Sequence, residues 1–302
     1  MRLAAAFLLA IAAYAQTAAE PPVAAEIRRV SARIGADVYL FAKNLDTGAE
    51  FGWRADERVR TASTIKLPVL CALYEKVARG EVNWEEMLVV READKVSGSG
   101  VLQELTGGAR LAARDVANLM IVVSDNTATN LILDRISADA VNESMDRLGL
   151  RRTRSMRKVR GGGTQLKEAA GWSKAGLMEE NRRFGLGVST PREMVRLMEM
   201  LAGGKVVSAS ASREILATME RQRYKDGIGR KLGEFKVASK SGALDALRSD
   251  VALVTTPKGR IALAITVDGM KDVDYGEDNA GLLAIAALAR QIVAGPDSPV
   301  VE

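Results

Sequence analysis

The sequence predicts an α/β fold of the α+β kind: an antiparallel sheet flanked by terminal helices, plus an all-helical lobe. Three observations carry this. Strand-like apolar stretches lie near the two ends of the chain. Between them, from about residue 61 to residue 219, the apolar residues recur at helical spacing. Each end also holds one helix-like segment, residues 23–34 and 279–293. The chain therefore divides into a leader of residues 1–15, a discontinuous α/β lobe of residues 22–60 and 220–296, and a helical insertion of residues 61–219.

The elements follow in order. Residues 38–42 form a strand, Asp46-Thr47-Gly48 a turn, and Phe51-Gly52-Trp53 the start of a returning strand. Residues 67–77 form an apolar helix that ends before Gly80. Residues 115–123 and 127–136 form two more helices, and Ser137 caps another that stops at Gly149. Thr190-Pro191-Arg192-Glu193 is a capping box with proline at the first helical position, and its helix ends at Gly203-Gly204. Strands return at residues 235–239, 250–254 and 261–267, the last two joined by the turn Thr256-Pro257-Lys258-Gly259. Residues 160–181, with Gly161-Gly162-Gly163, lack periodicity, and such a segment inside a compact domain is usually functional.

The first residues match a leader in three parts. Met1-Arg2 is the positive start, residues 3–12 are an apolar run too short to span a bilayer, and Ala13-Tyr14-Ala15 fits a cleavage site. Export to the periplasm or beyond is the expectation, with no membrane span left after the leader is removed. Only Cys71 is present among 302 residues, so no intramolecular disulfide can form. There is no histidine, which excludes a Ser-His-Asp triad and a Cys-His pair and argues against a catalytic zinc site. A nucleophile in this chain must use another base, and lysine is the candidate. Neither metal nor cofactor is expected. The net charge of +5 is spread along the chain, with a denser run over residues 151–160. Aromatics make up only 4% of the chain, so that run reads as a solvated basic loop rather than a nucleic-acid groove.

Three short motifs occur in order. Ser63-Thr64-Ile65-Lys66 puts a hydroxyl and an amine on one helix face, at the start of an apolar helix whose end is electropositive. Ser155-Met156-Arg157-Lys158 has the same spacing but lies in a basic stretch without apolar support. Ser124-Asp125-Asn126 sits between two apolar helices. Lys240-Ser241-Gly242 ends a strand, where glycine lets a ligand approach the backbone.

With these motifs the chain resembles the class A β-lactamases and their penicillin-recognising serine hydrolase relatives, with Ser241 where the third motif often has threonine. Residues 121–130, 238–242 and 248–251 extend the likeness, which covers about residues 25–294. The resemblance implies a β-lactamase-like two-lobe fold and an acyl-enzyme reaction. It makes Ser63 the nucleophile, Lys66 its base and Ser124 the proton relay. Asn126 would meet the acyl side chain, and Lys240, Ser241 and Gly242 the substrate carboxylate. Backbone N–H groups of Ser63 and Ala243 would form the oxyanion hole. Arg248 would either bind carboxylate or brace the strand, and Asp125 would tie loops together. The implied partner is a β-lactam or a D-alanyl peptide, bound by a monomer.

One feature of the family has no clear counterpart. Class A enzymes carry a glutamate on the loop before the helix that starts here at Thr190, with an asparagine four residues on. Between Arg147 and Met178 the one acid is Glu168, followed four residues later by Trp172. Glu168 is the candidate deacylating base, with Glu179, Glu180 or Lys66 as alternatives. Three functions stay open: a β-lactamase, a D-alanyl-peptide serine peptidase or transpeptidase-like hydrolase, and a penicillin-binding sensor that stays acylated.

Overall fold

The computed structural model describes residues 21–162 and 165–295; the leader expected at residues 1–15 lies outside them. Helix α1 (Pro22–Ile34) stops where Gly35 takes a left-handed φ of 63° and returns its N–H to Ser31. Strands β1 (Asp37–Asn44) and β2 (Glu50–Trp53) form the expected hairpin, and β3 (Val59–Arg60) leads to a 3₁₀ turn, Ala62–Ile65. Then come α2 (Lys66–Ala78), β4 (Met87–Val90), β5 (Ala109–Ala112), α3 (Ala113–Val122), α4 (Asn126–Ile136) and α5 (Ala138–Arg147). The chain continues through β6 (Arg154–Ser155), α6 (Lys174–Leu177), β7 (Gly187–Ser189), α7 (Pro191–Ala202) and α8 (Ala209–Glu220). It closes with β8 (Lys236–Leu244), β9 (Leu247–Thr256), β10 (Gly259–Asp268) and α9 (Ala280–Ala294).

The main sheet has the order β2-β1-β10-β9-β8, all neighbours antiparallel. Side chains alternate across a strand, so β9 feeds two cores at once. Ala252 and Val254 join Leu263, Ile265 and Val267 of β10 against α1 and α9. Val251 and Leu253 turn the other way, into the larger core built with α2, α3, α4, α5 and α7. Both faces of β9 are covered, which explains its near-continuous burial.

The segment 61–219 is not wholly helical. It contributes the short ladder β3-β7-β6 and the hairpin β4-β5. Strands of two to four residues are too short to show a period in sequence. The last strands are also longer than their apolar patterns. Strand β8 runs on through Ser241-Gly242-Ala243 to Leu244, and β9 opens at Leu247, so Asp245 and Ala246 form the turn between them. At α7, Thr190 accepts from Glu193 N–H as the capping box requires, but the Glu193 carboxylate accepts from Arg152 N and Thr153 Oγ1, pinning a neighbouring loop to the helix start.

Asp125 is the knot between the helical lobe and the loop that precedes β5. Its carboxylate caps α4 at Ala128 N (2.8 Å) and accepts from Val101 N (2.6 Å) and Leu102 N (2.8 Å). Gly100, with φ at 111°, lies so close that a Cβ there would sit 2.3 Å from the carboxylate. Asp125→Ala removes a cap and leaves two N–H groups without an acceptor, so we expect it to lose about 3 kcal/mol of stability, read as a lower denaturant midpoint at unchanged slope.

Candidate active site

Ser63 lies in the 3₁₀ turn that runs straight into α2. Two features fix that turn. Ala62 adopts a positive φ of 47°, and Thr64 Oγ1 donates to Thr61 O at 2.8 Å. The turn rests on β8, the edge strand, at Gly242. A Cβ on Gly242 would meet Thr61 O at 2.8 Å and Ser63 N at 2.9 Å, so only glycine lets the nucleophile's turn and the strand come this close. Ser63 is half-buried and faces a cavity of about 360 Å³, shared with Ser124, Ser241, Gly242, Ala243 and Arg248.

Two lysines meet behind Ser63. Lys66 and Lys240 are fully buried, and both ammonium groups donate to Ser124 Oγ, at 3.2 Å and 3.0 Å. Lys66 Nζ also donates to Asn126 Oδ1 at 2.9 Å and to the Ser124 carbonyl, and Lys240 Nζ to Ser241 O at 2.8 Å. Ser124 reaches between them because it takes a left-handed φ of 52° in the bend from α3 to α4, a strained conformation for a residue with a Cβ. The sequence spacing placed the Lys66 amine beside the Ser63 hydroxyl. Here it turns to Ser124 and Asn126, and among the described residues it makes no hydrogen bond to Ser63 Oγ.

Burial and then the neighbouring Lys240 charge hold the Lys66 amine well below the usual lysine range, with Asp125 opposing. Burial brings Lys240 from 10.5 down to about 7, partly offset by Asp250. Asp250, also buried, is pushed up to about 7. Its Oδ2 accepts from Ile228 N at 2.9 Å, while Oδ1 has no partner.

The other predicted residues divide into two sets. Asn126 does not line the cavity but lies against Gly98, which does: its Oδ1 accepts from the Lys66 ammonium and its Nδ2 donates to Ser97 O at 2.9 Å. Arg248 lines the cavity, but its guanidinium is tied to the carbonyls of Leu244 and Leu247, both at 2.6 Å, and of Asp274, with the Tyr275 ring 4.8 Å away. Bracing the turn from β8 to β9 is thus its visible work. Glu168 is not brought to the site. It is exposed on the loop after β6 and does not line the cavity, and Glu179 and Glu180 are exposed on the next 3₁₀ turn, Glu179 paired with Arg182. Ser155 is buried in β6, not on a helix, and Lys158 pairs with Asp134, so the second Ser-x-x-Lys spacing assembles nothing.

The loop carrying Glu168 is nevertheless ordered against the site. Asn130 donates to Val159 O and accepts from Val159 N, and Ser97 Oγ bonds both backbone groups of Gly162. Sequence reasoning missed these anchors, and it missed Gly98, Ser99, Tyr224, Asp226 and Tyr275, which line the cavity without belonging to a motif. Only the exposed tyrosines, in a chain so poor in aromatics, were a usable signal.

Comparison with known proteins agrees with this geometry. The sequence model of the Beta-lactamase enzyme family matches residues 22–295, and the chain belongs to that family. Among its relatives, β-lactamase 1 of Streptomyces cacaoi is 26% identical over 285 residues, 87% of this chain and 81% of that one. The β-lactamase of Rhodobacter capsulatus is 28% identical over 152 residues, and there the match spans about half of either protein, 49% and 52%. The crystal structure of the β-lactamase from Sphaerobacter thermophilus superposes with a TM-score of 0.77 at 32% identity, covering 89% of this chain and 95% of that one. PBP-A, solved as a leucine-to-glutamate mutant in an acyl-enzyme complex with penicillin G, gives a TM-score of 0.75 at 27% identity, over 89% and 94%.

The depressed lysines set the sign of a pH effect on stability. Lys240 titrates near 7 when folded and near 10.5 when unfolded. Between those values the unfolded chain binds the extra proton, so stability rises with pH. We expect wild type to gain stability relative to Lys240→Met as pH increases from 7 to 10, measured by urea unfolding. A flat difference would contradict the assignment.

Proposed function

We propose that the chain is a serine β-lactamase that opens the lactam amide through an acyl-enzyme on Ser63. The observation that carries this is the convergence of two buried lysines on Ser124 Oγ beside the Ser63 turn. A lysine held neutral by burial is a base at ordinary pH. In this reading neutral Lys66 takes the Ser63 proton as Oγ attacks the lactam carbonyl. The N–H groups of Ser63 and Ala243 hold the oxyanion. Ser124 hands its proton to the departing nitrogen and is refilled from Lys66, so the serine proton ends on the nitrogen and the C–N bond breaks without a free amide anion. Lys240 and Ser241 bind the substrate carboxylate, and Asn126 the acyl side chain. Export through the leader and action as a monomer, in the periplasm or outside the cell, belong to the same reading.

Deacylation needs a base for water, and Glu168 does not line the cavity. That absence favours a second reading, in which the same acylation serves a penicillin-binding protein acting on D-alanyl peptides or holding the acyl group. The likeness to PBP-A supports the comparison.

Three outcomes are expected. Ser63→Ala loses covalent labelling by a fluorescent penicillin; labelling that persists or moves to Ser155 would sink the assignment. Glu168→Gln turns over a chromogenic cephalosporin at the wild-type rate, and acyl-enzyme that accumulates in this variant by mass spectrometry would restore Glu168 as the base. With wild type, continued turnover after the first equivalent supports the β-lactamase. A stoichiometric burst alone, or release of D-alanine without turnover of the cephalosporin, decides for the second reading.

A further inference from the structure

The cavity wall includes a chemistry that the acyl transfer does not use. Tyr224 and Tyr275 stand there 40% and 62% exposed, in a chain with five tyrosines in all. Exposed aromatics at one cavity mouth mark a contact surface more than scattered apolar residues do. Tyr275 is fixed in place, its hydroxyl donating to Asp245 at 2.7 Å and its ring facing the Arg248 guanidinium. Between the two tyrosines in sequence order stands Asp226, the one acid that lines the cavity.

Asp226 carries an uncompensated charge. Its carboxylate makes no hydrogen bond or salt bridge among the described residues. Arg248 lines the cavity too, but its guanidinium is taken by three carbonyls and it already feels Asp245 and Asp274. Lys240 is buried beneath the cavity wall and bound to Ser124 and Ser241. The neighbouring cations Arg223 and Lys225 are exposed and do not line the cavity, and Arg230 pairs with Asp278. A partly buried carboxylate that lines one cavity with two aromatic rings suits an organic cation, which gains from the charge and from the ring faces together.

We propose that Tyr224, Asp226 and Tyr275 form a subsite for a cationic substituent, a pyridinium or quaternary ammonium, on the substrate; this rests on the acyl-transfer reading above. With the substrate carboxylate at Lys240 and Ser241, the neighbouring substituent of a cephalosporin would lie in the same cavity as these three residues. A zwitterionic substrate then meets a matching pair of charges, whereas a purely anionic one meets Asp226 unpaired.

Cephaloridine and cephalothin test this. They share the thienylacetamido group, and they differ in a pyridinium against an acetoxy group next to the carboxylate. The readout is the ratio of their second-order acylation rates, followed by stopped flow, which applies whether or not the enzyme deacylates. Asp226→Asn is expected to lower that ratio about three- to fivefold, and Asp226→Glu, which keeps the charge, to retain it. In wild type the ratio is expected to shrink from about 0.01 M to about 0.15 M ionic strength. Acylation by both compounds with the same ratio in wild type and Asp226→Asn overturns the subsite alone. No acylation by either compound overturns the acyl-transfer reading and the subsite with it.

Discussion

Two ammonium groups buried around one serine hydroxyl form the constraint on which the rest of this molecule depends. Lys66 and Lys240 come from opposite lobes, one from the start of α2 and the other from edge strand β8. Each is fully buried, and burial of a cation is unfavourable unless its donors are met. Oxygen atoms of Ser124, Asn126 and Ser241 meet them, but no carboxylate touches either ammonium among the described residues. Asp125 and Asp250 act only at longer range. Burial first, and for Lys66 the neighbouring Lys240 charge, therefore lower both amines below the usual lysine range, at the cost of stability.

Holding this arrangement requires a stiff frame, and its parts are recognisable. The positive φ at Ala62 and Ser124 bends the chain so that Ser63 lines the cavity and the Ser124 hydroxyl meets both lysines. Gly242 brings β8 against the Ser63 turn. Asp125 fixes the other side by joining α4 to the loop at residues 101–102. Beneath these contacts the larger core, with Leu67, Leu70, Met120, Ile121 and Ile132, leaves α2, α3 and α4 no room to slide.

Much of this was legible before any coordinates. The helices and longer strands with strong periodicity lie where the pattern put them, and the three motifs meet in one cavity because each ends or begins such an element. The rest failed for physical reasons. Lys240-Ser241 and Arg248-Ser249 interrupt the apolar pattern, so β8 and β9 seemed to stop short, yet Lys240, Arg248 and Ser249 are buried there. The ladder β3-β7-β6 is held by a few backbone bonds that no side-chain period reports. Glu168 was proposed because it is the one acid in its loop, but the loop folds by Asn130 and Ser97 binding its backbone, which does not depend on where its acid points.

That last difference bears on how the site divides its labour. The groups proposed for acylation are held by regular elements or by the tight turns that lead into them: Ser63 in the 3₁₀ turn before α2, Lys66 at the start of α2, Ser124 in the bend between α3 and α4, and Lys240 on β8. A water-activating acid is carried in class A enzymes by the intervening loop, a segment whose length and contacts can change without disturbing the frame. In this chain that loop is closed on itself, with Lys158 N donating to Ala170 O, Lys167 N to Arg160 O and Arg160 Nε to Lys167 O, and its acid faces solvent. The frame proposed for making an acyl-enzyme and the loop proposed for discharging it are thus separable parts of one fold. On the proposed reading it is this loop, rather than the two lysines, that would decide between a hydrolase and a penicillin-binding protein.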